Sequence, residues 1–367
     1  MISTALALVL AGLPAAAGSF QPGHVVVLRA GDGAVDLKLK QAPIFVDEFV
    51  PGAPNSAPAN TVAIPTNGTD TLFFNGHAAT EGVLARSADH RLLTVAGYGG
   101  VNLLQKQGTP SLLDIKRAFC TVDFAGTVYT TVYQLDAEDQ KMNPRGVVTD
   151  GTNNFWGCGN ALATLYFHPD SPPEVFDAIS STRALRIINQ VLYTTLNGPD
   201  GIAADLSAGI FTFQDGAGDP APLPRKADSK LKRVLTAQRP YVKIAGFDMN
   251  PEGTIAYTAD TDAGIQKYVK TGGAWKFAYN FSIPQNIPAS ENHAKGCFGV
   301  VVDFSAPAPI IYATTTEGYG GSVNSNRVVQ IVDTNPTAVV TTLAQSPSLQ
   351  MVYRGIDFTP EAAPVKP

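Results

Sequence analysis

The sequence predicts an all-β chain in which a four-stranded antiparallel meander recurs and closes into a ring. The clearest copy is Gly246–Ile283, which divides into four strand-sized runs: Gly246–Met249, Thr254–Ala259, Ile265–Val269 and Lys276–Ile283. Asn250-Pro251-Glu252-Gly253 separates the first two, with Pro presetting φ and Gly supplying a positive-φ position; Lys270–Ala274, with its Gly-Gly pair, separates the last two. The second and fourth runs are rich in β-formers and aromatics. A lone meander cannot bury both faces, so copies have to stack. The second observation is that degenerate copies run nearly end to end. The third concerns closure: Gly355–Phe358 reads as a first strand with nothing after it, whereas His24–Arg29, Ile44–Val50 and Thr61–Pro65 are three strands lacking a first. Joining them removes the free sheet edges.

Taken in order, one unit comprises Gly82–Arg86, the Ser87–His90 turn, Arg91–Ala96, Ala118–Phe124 and Thr127–Leu135. The next comprises Gly146–Thr149, the Asp150-Gly151 turn, Asn154–Cys158, Leu162–Phe167 and Val175–Ile179. Ala184–Ile188, Val191–Thr195 and Gly209–Phe213 form another, whose last strand the pattern does not place. After the Gly246 unit come Gly299–Asp303, Ile310–Thr315, Arg327–Val332 and Ala338–Leu343. First strands at Gly82, Gly146, Ala184, Gly246, Gly299 and Gly355 make six units, or seven if Leu223–Val242 holds a further sheet. The stretches SADHRLLTVAG, NPEGTIAYTAD and SAPAPIIYATT share a turn-then-strand texture that resembles the β-propeller repeat proteins of the NHL, YVTN and lactonase-like kind over residues 24–358. That resemblance implies a six-bladed β-propeller. It specifies a fold and leaves function open.

Ahead of the ring, Ile2–Leu13 is a short apolar run followed by Pro14 and Ala15-Ala16-Ala17-Gly18, a small-residue cleavage pattern. Residues 1–18 therefore read as a secretory signal peptide, although no Lys or Arg precedes the apolar run. The expected organisation is one propeller domain over 19–360 and a loose tail over 361–367, in a protein that is secreted, periplasmic or held at the cell surface. No later segment is long and apolar enough to insert into a membrane. A net charge of −5 argues against general binding to nucleic acid or anionic membranes. Cys120, Cys158 and Cys297 are an odd set for an oxidising compartment; a Cys120–Cys158 bridge between adjacent units is conceivable, and three buried thiols is the preferred reading. Asn67-Gly68-Thr69 and Asn280-Phe281-Ser282 match the N-glycosylation acceptor pattern.

In a ring of meanders, connections from strand one to two and three to four share one face, and here they are short. Connections from strand two to three and between units share the other, and here they are long: residues 30–43, 97–117, 136–144, 196–208, 226–241, 284–295 and 317–326. Long loops on one rim of a rigid scaffold are where binding and catalytic groups gather. On that side, Arg145, Arg183 and Arg354 each immediately precede a first strand, with Lys243 and Lys295 close before two others and Glu81 before Gly82. Such residues ring the mouth of the central channel. Guanidinium groups there suit a carboxylate, phosphate or sulfate; alternatively they hydrogen-bond carbonyls of the neighbouring unit and knit the ring. Tyr98-Gly99-Gly100 and Tyr319-Gly320-Gly321 place an aromatic beside exposed backbone, a stacking surface for a sugar or planar ligand.

The chain holds no G-x-S-x-G elbow, H-x-x-x-H pair, P-loop or Rossmann glycine pattern. His77 and His293, in rim loops, are the best general-base candidates, with Glu81 as a partner acid or base. Asp260 and Asp262 resemble the start of a calcium loop, but Thr271 stands where the bidentate Glu belongs. The lactonase-like resemblance implies that calcium could sit at the mouth, with oxygens from Glu81, Asn143 and Asn292. Two function classes follow: a binding or cell-surface interaction protein for a glycan, peptide or small anion, and a metal-assisted propeller hydrolase or lyase. Calcium at the mouth would favour the enzyme; a mouth closed by Arg–carbonyl bonds would favour the binding or scaffold reading.

Overall fold

The structure, a computed structural model, describes residues 18–34, 36–37, 41–76, 78–99, 116–133, 143–160, 164–176, 182–197, 208–238, 243–283, 296–317 and 325–364. Every regular element among them is a strand. From the N-terminus come β1 (Val25–Ala30), β2 (Gln41–Ala42), β3 (Ile44–Phe49), β4 (Asn60–Ala63) and β5 (Leu72–Asn75). Blade 2 follows as β6 (Leu84–Arg86), β7 (Leu92–Gly99), β8 (Lys116–Asp123) and β9 (Val128–Tyr133). Blade 3 is β10 (Pro144–Thr149), β11 (Phe155–Gly159), β12 (Thr164–His168) and β13 (Ser171–Val175). Blade 4 is β14 (Thr182–Ile188), β15 (Val191–Leu196), β16 (Gly209–Gln214) and β17 (Lys230–Thr236). Blade 5 is β18 (Ile244–Met249), β19 (Ile255–Asp260), β20 (Gly264–Thr271) and β21 (Ala274–Phe281). Blade 6 is β22 (Cys297–Asp303), β23 (Ile310–Thr315), β24 (Arg327–Val332) and β25 (Val340–Gln345), and β26 (Val352–Phe358) ends the chain's strands.

The ring closes as the sequence requires. Blade 1 has the order β26-β1-β3-β4, with Val25 opposite Phe358 and Ala30 opposite Val352. The chain is therefore a six-bladed β-propeller. The region that could have held a seventh sheet supplies β17, the missing outer strand of blade 4, paired to β16 from Gly209–Thr236 to Gln214–Lys230. Its Lys-Leu-Lys-Arg sequence reads as polar because this outermost strand is exposed or half-buried except at Leu235. The last strand of blade 3 is β13, Ser171–Val175, rather than Val175–Ile179. Its Pro172 and Pro173 masked it in the sequence; an outermost strand tolerates one proline on its outward side, and the register shift opposite Tyr166–His168 accommodates the other, where no regular ladder bond forms.

Apolar packing lies between blades. Each of the six interfaces carries its own cluster, such as Val26, Val46, Phe74 and Val95 between blades 1 and 2, or Tyr257, Ile265, Val300 and Ile311 between blades 5 and 6. The latter interface is also latched by Asp333, whose carboxylate receives Tyr257, Tyr279 and Lys267 from blade 5. The recurring first-strand glycines have a direct cause: neighbouring inner strands nearly touch. A Cβ on Gly355 would lie 2.2 Å from Leu84 N, and one on Gly246 would lie 2.8 Å from Phe298 O. Six inner strands this close leave a nearly filled axis, with roughly 10 Å³ between Ala184, Gly246, Gly299 and Gly355. That is room for about one water.

Blade 2 departs from the repeat. β6 covers only half of β7, pairing Leu84 with Val95 and Arg86 with Leu93; β5 takes the other half, pairing Leu72 with Gly99, and β2 adds to β5. The sequence reading missed β5 because it expected each inner position to be filled by one run. The join between β5 and β6 carries Glu81.

Candidate functional site

Glu81 is fully buried where β5 gives way to β6. Its Oε2 accepts a hydrogen bond from Asn75 N at 2.9 Å, and its Oε1 accepts one from the Tyr98 hydroxyl at 2.9 Å. The same hydroxyl lies 3.3 Å from Asn143 Oδ1, so a hydrogen-bonded line leads from the buried carboxyl to the start of β10. Burial raises the Glu81 pKa from 4.5 to about 7, against the opposing pull of Arg354, the two hydrogen bonds and Arg145. Desolvation disfavours the carboxylate more than the two cations stabilise it.

Tyr98 lies inside β7 and has no exposed surface, a correction to its reading as a loop platform for a ligand. The added pairing with β5 extends the strand past Ala96. Its ring stacks on Phe73 at 5.8 Å and lies 5.4 Å from the Arg117 guanidinium, so its hydroxyl is rigidly aimed at Glu81.

Two of the three arginines at first-strand starts are tied to the neighbouring blade. Arg145 donates from Nη1 to Thr182 O at 3.0 Å, joining blade 3 to blade 4. Arg354 donates from Nη1 to Glu81 O at 3.2 Å and from Nη2 to Gly76 O at 3.3 Å, joining blade 1 to blade 2, with its guanidinium 5.1 Å from the Phe74 ring. Gly82 makes room for it, since a Cβ there would sit 2.8 Å from Arg354 Cδ. Arg183 differs. Its carbonyl accepts the Cys158 thiol at 3.2 Å, but its Nε is buried without a hydrogen-bond partner. The neighbouring strand β15 ends one residue before Asn197, which is 6% exposed and whose amide oxygen and nitrogen both lack partners. Lys243 is exposed and pairs with Asp262 at 3.1 Å, outside the mouth cluster. His77, His293, Lys295, Tyr319 and Asn292 lie outside the described residues, as do most of the long rim connections.

The described residues do not fit calcium at the mouth. Calcium takes about 6–8 oxygens, whereas both Glu81 oxygens already accept from Asn75 and Tyr98, and Arg354 and Arg145 set two positive charges beside the carboxyl. A divalent cation there would meet repulsion. Among the described residues, no three His, Cys, Asp or Glu converge on a possible metal position. Asp260 is buried and accepts Asp262 N on Oδ1 at 2.8 Å, a turn-stabilising bond. The three cysteines are buried free thiols, and burial first, with Arg145 opposing it, lifts Cys158 to about 12. At that value Cys158 is not a nucleophile at neutral pH. Of the two glycosylation acceptors Asn67 is exposed, whereas Asn280 gives its amide to Ala263 O at 2.8 Å.

A second charged group was missed in the sequence. Arg186, on β14, spans the axis: Nε donates to Phe247 O at 2.8 Å, Nη2 to Val300 O at 3.2 Å, and Nη1 pairs with Asp357 at 3.0 Å. One side chain thus links blades 4, 5, 6 and 1. Asp248 and Asp357 occupy matching places in their blades: Asp248 accepts Val302 N and Met249 N, and Asp357 accepts Arg86 N and Phe358 N. The signal was present as Gly-Phe-Asp and Gly-Ile-Asp at two first strands, with Ala-Leu-Arg at a third. Below its mouth the axis is closed by this group.

No known family profile matches the sequence, and no curated protein matches it. Solved structures do resemble it in shape. An outer-coat vertex chain of COPII on membranes aligns at 11% identity and TM-score 0.43, covering 71% of this chain and 64% of that one, so the chain spans less than two thirds of that protein. A putative 6-phosphogluconolactonase from Bacteroides uniformis aligns at 12% identity and TM-score 0.41, covering 91% and 99%. Sqt1 from Chaetomium thermophilum aligns at 13% identity and TM-score 0.41, covering 89% and 70%. At such identities the likeness concerns fold alone.

Proposed function

We propose that this propeller is an exported binding protein that holds a small anionic group, a carboxylate, phosphate or sulfate of a glycan, peptide or free anion, on its loop-rich face at blade 4. The observation that carries this reading is the pair Arg183 and Asn197. Arg183 Nε and both amide atoms of Asn197 are buried without a partner, and each such group costs about 1–3 kcal/mol when left unsatisfied. An anion beside them recovers that cost, because guanidinium and amide N–H groups both donate to it. Arg145 and Arg354 supply the scaffold instead, since their bonds to carbonyls hold blades together. Export rests on the composition of residues 1–18. Intact mass of material recovered outside the cytoplasm should correspond to a chain beginning near Gly18 or Ser19; retention of Met1–Ala17 would contradict export by this route.

Calorimetric titration with sulfate, phosphate and citrate tests the site itself. Binding is expected in the wild type and should weaken about ten-fold or more in Arg183→Ala and in Asn197→Ala, since a charge-assisted hydrogen bond is worth roughly 1.5–3 kcal/mol. No heat with any of the three anions, or equal affinity in the variants, would sink the reading.

A second reading, a hydrolase or lyase, is favoured by the Glu81–Tyr98–Asn143 line. A carboxyl with a pKa of about 7 suits general acid–base work near neutrality, and perturbed groups cluster at functional sites. Turnover of a lactone or ester panel that is lost in Glu81→Gln would support it.

A further inference from the structure

We propose that the cleft between blades 4 and 5, on the short-loop face, is a binding site for a single neutral saccharide ring, free or at the end of a glycan. It lies on the opposite face from the blade 4 anion site and stands independently of it. The cleft measures roughly 220 Å³ and is lined by Tyr193, Trp275 and Met249 together with Asn189, Glu252 and Lys270. That is below the roughly 300–1,000 Å³ of pockets for drug-sized ligands, so one ring fits and a large planar cofactor does not.

The walls are preorganised. Ile188, Tyr193 and Trp275 pack against the core cluster that contains Phe247, Met249 and Tyr268, which fixes both aromatic planes. Asn189 and Gln190 form a two-residue hairpin turn between β14 and β15, both with positive φ (48° and 62°). Glu252 is steered by Asn250, whose Nδ2 donates to its Oε2 at 2.8 Å. The Lys270 ammonium stands 5.9 Å from the Trp275 ring centroid.

The polar handles match a polyol. Tyr193, Trp275 and Asn189 line the cleft and bring a hydroxyl, an indole N–H and an amide to it, and among the described residues none of these side chains has a hydrogen-bond partner. A sugar presents C–H faces that stack on aromatic rings and hydroxyls that need both donors and acceptors. Tyr and Trp offer an apolar body with a polar tip, Glu252 accepts, and Lys270 donates. A simple anion would face the Glu252 carboxylate, and a purely apolar ligand would strand these groups.

The two tryptophans make the test direct. Trp156 is fully buried and donates to Pro224 O at 2.6 Å, so it is a constant background, and Trp275 alone lines the cleft. Fluorescence is titrated with D-glucose, D-galactose, D-mannose, L-fucose and N-acetyl-D-glucosamine. A saturable change with at least one sugar is expected, weakened about three-fold or more in Tyr193→Phe and in Glu252→Gln. Saturation-transfer NMR should lose the sugar signal in Trp275→Ala, whose fold is checked by circular dichroism; Tyr193→Phe keeps the test valid if that variant fails to fold. No saturable change with any of the five sugars overturns the proposal. So does affinity unchanged in Tyr193→Phe and Glu252→Gln, or the same spectral change with sodium sulfate alone.

Discussion

Replacing Arg186 with Met is expected to destabilise the protein by about 3–5 kcal/mol, the usual cost of removing one partner from a buried ion pair. The variant keeps the aliphatic volume but leaves Asp357 without its 3.0 Å partner, and burial already raises the Asp248 pKa against the pull of Arg186. The carbonyls of Phe247 and Val300 also lose a donor. The pH response identifies the cause. Burial already holds the Asp248 carboxyl above its ordinary value, and losing the guanidinium removes the pull that opposes it. The variant's deficit should then shrink as pH falls and Asp248 protonates, and grow as pH rises through its folded value. Denaturant unfolding at pH 4.5 and 7.5 measures this. A loss below about 1 kcal/mol, or one independent of pH, would show that Arg186 fills space without bridging charge. Adding Asp248→Asn to the Met variant should recover part of the loss, because it removes one uncompensated carboxylate.

Glu81→Gln is expected to act in the opposite direction at neutral and alkaline pH. In the fold Glu81 titrates near 7 rather than 4.5, so the folded chain holds a proton that the unfolded chain has released across that interval. The stability from the protonated form is fully present below about pH 4.5 and is lost as pH rises through 7; the span corresponds to about 3 kcal/mol. Gln resembles the protonated form: its carbonyl can accept from Asn75 and its amide can donate to the Tyr98 oxygen. The variant should therefore match the wild type near pH 4.5 and exceed it by up to about 3 kcal/mol at pH 8. Parallel stability curves for the two proteins between pH 4.5 and 8 would show that Glu81 ionises as an ordinary carboxyl.

The blade architecture was legible because strand-sized runs and turn residues repeat, and because a first strand at Gly355–Phe358 had no successors while three N-terminal strands had no leader. The pairing of β26 with β1 at the closure follows from that one asymmetry. What escaped the pattern was local exception. Two outer strands, β13 and β17, are mostly exposed or half-buried and so carry little apolar signal, and β13 carries two prolines. β5 stands in for half an inner strand, which no repeat template anticipates. The mouth was legible as a set of cations and one acid, since Arg145, Arg354 and Glu81 do come together there. Their partners were not, because backbone carbonyls leave no mark on side-chain sequence. Arg186 was overlooked for a related reason: a single Arg at a position where other blades carry Val, Leu or Asp looks like drift until the ring brings Arg186, Asp248 and Asp357 together.

On the proposed function, Arg354 knits blades and Arg183 receives an anion. Melting temperature and sulfate affinity measured side by side on Arg183→Ala and Arg354→Ala test it most directly. Arg354→Ala should strand Glu81 O and Gly76 O and lower the melting temperature, with sulfate affinity little changed. Arg183→Ala should melt at or above the wild-type temperature, having lost an unsatisfied buried donor, while sulfate affinity falls about ten-fold or more. A lowered melting temperature in both variants with sulfate affinity unchanged would contradict it and leave all three arginines as knitting residues.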